Sequence, residues 1–148
     1  MPRMTREELD EHLARGGLMA ICSVSRPDKG PVAVPLAFLW EDGQFLLMTP
    51  PDSLHGKQMQ RTGRATVTVH SERYAGSEVD QWYVMAEGTV EFTEHDALPL
   101  ARKLLTKDRG PEYAEQWLES MRPALENNWV AVLTPARIAG FTFGGRLP

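Results

Sequence analysis

The sequence is poor in several things, and each shortage removes a class of protein. Cys22 is the single cysteine, so an intrachain disulfide is impossible and a structural zinc site has too few thiolates. Four histidines, His12, His55, His70 and His95, show no metal-ligand spacing, and no metal is expected. No apolar run approaches the ~20 residues of a membrane helix. Basic charge is not in excess: 16 Lys and Arg stand against 20 Asp and Glu, net −4, and they form no single run. General nucleic-acid affinity therefore has no support. The opening MPRMTREELDEHLARGG is charged and helix-like, without the apolar stretch of a secretory leader, so a cytoplasmic location is expected.

What is present fits one globular domain over residues 1–148, with 42% apolar and 24% charged residues. Thr5 and Glu8 have capping-box spacing, and Leu9 and Leu13 follow at helical spacing, so a short helix is expected to end near Gly16-Gly17. Leu18 to Ser25 reads as a buried strand containing Cys22, closed by a turn over Arg26 to Gly30. The return strand, Pro31 to Trp40, carries Pro35 in its middle, which implies an edge or a bulge. Glu41-Asp42-Gly43-Gln44 turns the chain into Phe45 to Thr49, and Pro50-Pro51-Asp52 stops that strand.

Ser53 to Arg61 reads as a helix capped by Ser53 or Asp52, and Arg64 to His70 as a half-buried strand. A polar loop is expected over Ser71 to Asp80 and a strand over Trp82 to Phe92, where Gly88 suggests a bulge or close approach. Two helices follow, from about Asp96 to Leu105 and from Pro111, the second with an apolar stripe of Tyr113, Ala114, Trp117, Leu118 and Met121. Trp129 to Thr134 and Ile138 to Phe143 finish the sheet, with a break expected at Pro135. The sum is an α+β domain: an antiparallel barrel of six strands with inserted helices.

The segment FLLMTPPDSLHGKQMQR, Phe45 to Arg61, concentrates the chemistry. A helix N-terminus offers free N–H groups and a positive dipole end to phosphate. Ser53 adds a hydroxyl, Lys57 a charge one turn on, and Thr49 closes the strand side. Local spacing alone fits a capped surface helix with a solvated lysine better. Trp82 and Tyr83 read as packing residues before ring-covering ones, and Glu87 and Glu91 as an exposed sheet face before a carboxylate pair. No side chain stands out as a catalytic acid or base.

The order PVAVPLAFLWEDGQFLLMT, Ser53, Lys57, RATVTVH and WYVMAEGTVEF resembles the pyridoxamine 5′-phosphate oxidase-like split-barrel superfamily. The branch most similar is that of flavin/deazaflavin oxidoreductases using the coenzyme F420. The resemblance implies an FMN-binding-like split β-barrel and a homodimer with the cofactor in a groove at the subunit interface. It further implies F420, or alternatively FMN, as cofactor and a small organic molecule as substrate.

Ala33, Val34 and Pro35 would meet the ring, largely through backbone, while Ser53 and Lys57 match phosphate-binding positions and His55 stands where many relatives have arginine. Trp40, Trp82 and Trp129, near strand ends, are expected to help form the interface. Two other roles stay open: a non-catalytic carrier or sensor of flavin, F420 or haem, and an FMN-dependent pyridoxamine phosphate oxidase in the strict sense.

Overall fold

The first helix, α1 (Arg6–Leu13), begins at the expected capping box: the Glu8 N–H donates to Thr5 Oγ1, and the Thr5 N–H to Glu8 Oε1. It is one turn shorter than expected, because Ala14 already serves as C-cap and the glycines belong to the turn beyond. These coordinates are a computed structural model that describes residues 2–71 and 81–142. Most of the polar loop expected over 71–80, and the tail from 143, lie outside the described residues.

Strands β1 (Met19–Arg26) and β2 (Lys29–Glu41) form a hairpin tighter than expected, since Pro27 and Asp28 alone make the turn, with Asp28 at φ 56°. β3 (Gln44–Thr49), β4 (Arg64–His70), β5 (Trp82–Glu94) and β6 (Trp129–Thr142) complete a closed antiparallel barrel in the order β1-β2-β3-β6-β5-β4. Alternation decides what points inward. Cys22 and Val24 of β1, Phe45 and Leu47 of β3, and Val67 and Val69 of β4 fill the interior with essentially no exposure.

Leu9 and Leu13 of α1 reach this core from one end, and Met59 of α2 (Leu54–Thr62) also joins it. Cys22 is buried there, and the loss of solvation pushes its thiol pKa up to about 12.

The break expected at Pro135 is absent: β6 runs through it. The register against β5 jumps from Glu87↔Arg137 to Gly88↔Pro135, so Ala136 is the extra residue of a bulge, and proline is tolerated at a bulge. Gly88 permits this close approach, because a Cβ there would strike the Thr134 carbonyl.

Helices α3 (Leu98–Arg109) and α4 (Pro111–Leu125) connect β5 to β6 and pack against each other through Ala101, Leu118 and Leu125. Leu100 and Ala97 join Leu39 and Val130 on the outer barrel face. The expected α4 stripe holds for Ala114, Trp117 and Leu118. Tyr113 and Met121 are instead exposed, Tyr113 lying under the Arg109 guanidinium at 5.0 Å.

The three tryptophans expected at an interface differ in burial. Trp82 is a core residue, and Trp40 is half-buried with its indole N–H donating to Asp10 at 2.8 Å. Trp129 is half-buried, with the His95 ring stacked on it at 4.1 Å.

Candidate functional site

The turn between β2 and β3 fixes which way each backbone group of β2 faces. Asp42 and Gly43, both at positive φ (52° and 74°), form a two-residue hairpin loop, so the flanking Glu41 and Gln44 make the hydrogen-bonded pair. From Val32 to Glu41, odd-numbered residues of β2 therefore turn their N–H and C=O toward β3, and even-numbered ones toward β1. The ladder to β3 ends at Phe38↔Leu47, whereas β1 accompanies β2 down to Val24↔Val32. Below Phe38 the barrel is split on its β3 side.

This places the three ring-contact candidates. Ala33 presents a donor and an acceptor to the open side, and Pro35 an acceptor with no donor to leave unpaired. Both side chains are exposed on the outer face of the strand. Val34 differs, because its backbone groups pair with Cys22 in β1 and its half-buried side chain packs on the core. It offers the split little.

The chain leaves β3 at Thr49, turns at Pro50-Pro51-Asp52 and enters α2, which packs against both β1 and β2. Ser53 is the N-cap. Its Oγ donates to the Pro50 carbonyl at 2.6 Å, accepts from the Gly56 N–H at 3.1 Å, and lies 3.3 Å from His55 Nε2. With its hydrogen given to Pro50, the oxygen can only accept from His55, which assigns the proton to Nε2. The serine hydroxyl is thus committed within its own turn.

Partial burial lowers the His55 pKa below its ordinary 6.5, so at neutral pH the ring is an uncharged donor. Lys57, one turn along, is exposed and supplies the local positive charge. The N–H groups of Leu54 and His55, in the first turn, have no intrahelical acceptor and sit at the positive end of the helix dipole. That donor set fits a phosphate, and the open β2 edge beside it fits the polar rim of a ring.

Thr49 is not brought to this surface. It follows Phe45 and Leu47 on the inward face of β3, is fully buried, and its Oγ1 has no hydrogen-bond partner. Sequence reasoning missed Gly56. The residue is buried where a Cβ would collide with the Pro50 carbonyl and crowd that of Pro51, so glycine lets α2 sit tightly on the strand end. A glycine inside the first turn, after two prolines, was the available signal. Among the described residues no three His, Cys, Asp or Glu side chains are grouped to hold a metal, and no helix is long and apolar enough to cross a membrane.

A closed six-stranded antiparallel barrel with one seam opened beside a helix N-terminus is a split barrel, the fold of FMN-binding-like proteins. Residues 5–142 match the family model described as pyridoxamine 5′-phosphate oxidase, and the chain belongs to that family. No curated protein matches it by sequence.

Among solved structures, the conserved hypothetical protein Rv2991 from Mycobacterium tuberculosis superposes with a TM-score of 0.76 at 17% identity, covering 98% of this chain and 89% of its own. The FAD and heme binding protein from Mycobacterium smegmatis gives 0.69 at 19%, covering 95% and 72%. An F420 reductase gives 0.62 at 16%, covering 86% and 94%. At these identities the likeness is one of fold.

Proposed function

We propose that this chain is an oxidoreductase that holds a flavin or deazaflavin phosphate in the split between β2 and β3, with F420 as the first candidate and FMN as the second. The observation that carries the reading is the ladder ending at Phe38↔Leu47, which leaves the Ala33 and Pro35 backbone open beside the N-terminus of α2. Family membership supports it, as do neighbours of the same fold described as an F420 reductase and as an FAD and heme binding protein.

When bound, such a cofactor supplies the hydride or electron transfer. The chain's own part is positional. Lys57 and the first N–H groups of α2 hold the phosphate, and the Ala33 N–H and the Ala33 and Pro35 carbonyls meet the polar edge of the ring. A second copy of the chain completes the site in this reading, since the split and the outer faces of Ala33 and Pro35 are open, and Met85 is 49% exposed on the outer face of β5.

Purification from a host that makes both FMN and F420, followed by mass spectrometry of the released ligand, tests the cofactor. Either molecule at near one per chain supports the reading, and neither refutes it. Bound cofactor without turnover of quinones or enones assigns a carrier instead.

A further inference from the structure

The helical hairpin α3–α4 is held against the barrel at its two ends and stands off between them. At its base, Ala97 and Leu100 pack onto Leu39 and Val130, and Lys103 bridges to Glu41 at 2.7 Å. At its tip, Asp108 lies against Gly16 in the turn before β1, so closely that a side chain at position 16 would strike the carboxylate. The space left between is a cleft of about 250 Å³ with mostly apolar walls, among them Leu39 and Met48 of the barrel and Leu104 and Trp117 of the hairpin. Met19 stands at its edge, 47% exposed.

The charged side chains in these walls offer a ligand no net counter-charge. Arg15 is engaged away from the cleft, its guanidinium over the Trp82 ring at 5.9 Å. Lys107 and Asp108 are adjacent in sequence and opposite in sign, so their charges cancel. Trp40, which also lines the cleft, gives its indole N–H to Asp10 at 2.8 Å. An ion entering here would lose its water and gain no opposite charge, whereas an apolar molecule gains by leaving water. Size narrows the occupant further. An apolar cavity of about 150 Å³ accommodates one benzene ring, so this one has room for about ten non-hydrogen atoms.

We propose that the cleft is a binding site for an uncharged, mostly apolar small molecule, a single substituted ring or a short branched chain seated between Leu39, Met48, Leu104 and Trp117, and that it turns away carboxylates and phosphates. Ala37 and Leu39, both in its wall, share the outer face of β2 with Ala33 and Pro35, about 6.6 Å apart for every two residues. The molecule is therefore placed along the same strand face as the proposed ring. This names a substrate class for that site: a neutral compound and not a phosphorylated one such as pyridoxamine phosphate. The role as substrate rests on the proposed function; the binding does not.

The probes are three molecules of one shape and the required size: 4-methylacetophenone, uncharged; 4-methylbenzoate, an anion; and 4-methylbenzamidine, a cation. Each is titrated by calorimetry into the purified full chain without added cofactor. Saturable binding of the ketone is expected, with the acid and the amidine each at least about tenfold weaker. Leu104→Trp fills the cleft and should abolish ketone binding. Met19→Trp, at an exposed position on the edge, narrows the mouth without touching the core and should weaken it. Absence of ketone binding overturns the site, as does binding unchanged in the folded tryptophan variants. An acid or amidine that binds as tightly as the ketone overturns the assignment of an uncharged occupant. Because no cofactor is present, none of these results depends on whether F420 or FMN binds beside the cleft.

Discussion

Removing the Ser53 hydroxyl should weaken the fold more than the cofactor site, and removing the Lys57 charge should do the reverse. Ser53 Oγ makes two close hydrogen bonds at the start of α2, to the Pro50 carbonyl and from the Gly56 N–H, and both are lost in Ser53→Ala. Replacing such a cap costs about 1 kcal/mol, within a range of about 0.5–2. For a domain of this size that corresponds to a fall in melting temperature of about 3 °C.

Lys57 is exposed on the next turn, and its truncation should leave the apoprotein's melting temperature unchanged within about 1 °C. A charge-assisted hydrogen bond to phosphate contributes about 1.5–3 kcal/mol, and each 1.4 kcal/mol is about tenfold in affinity. Lys57→Ala should therefore bind F420 or FMN at least about tenfold more weakly, and show a smaller cofactor-induced rise in melting temperature. The assay is thermal melting of both variants with and without cofactor, beside direct titration. A Ser53→Ala protein with unaltered apo stability and affinity reduced as much as in Lys57→Ala would show that the hydroxyl serves the ligand, and the capping argument would be wrong.

Thr49→Val replaces a buried hydroxyl that lacks a partner by a methyl of the same shape, so the melting temperature should rise and cofactor affinity should not change; a lower melting temperature would mean that Oγ1 has a partner in solution. His55 has its pKa lowered by burial, so the unfolded chain takes up its proton first. The stability this represents is complete above about pH 6.5 and is lost as pH falls through the lower folded value. Wild type should therefore lose more stability than His55→Gln between pH 7.5 and 5.5, and parallel curves would exclude the effect. Cys22, with its thiol pushed up to about 12, should resist alkylation at pH 8 in the native protein and react at once in denaturant; rapid native modification would contradict its burial.

The sequence carried the hairpins and caps because those signals are local: Asp-Gly between alternating strands, Thr with Glu three residues on, Ser after two prolines. It misread Pro135 because the tolerance of that proline depends on Gly88, forty-seven residues earlier, facing it across a bulge. Trp82 was read as interface because its size is visible in sequence and its cover is not: it lies in the barrel core. At the site, Lys57 and the N-terminus of α2 were legible from spacing. That the Ser53 hydroxyl is consumed by its own turn, that Thr49 points inward and that Val34 faces β1 all follow from register, which a single strand does not encode.

The split itself has to be reconciled with the hazard of an open strand edge. The backbone groups that Ala33, Pro35 and Ala37 turn to the open side would invite another strand, and proteins blunt such edges with proline and charge. The hairpin geometry puts the backbone of Ala33, Pro35 and Ala37 on the open side, and Pro35 has no N–H. A β-ladder laid along this edge would lack a donor at Pro35, so strand addition is discouraged while the carbonyls stay available. A flat ring does not need a continuous ladder; one donor at Ala33 and the acceptors of Ala33 and Pro35 suffice. The same proline therefore serves protection and recognition together, and it keeps the edge open without weakening the barrel, whose other five seams are paired.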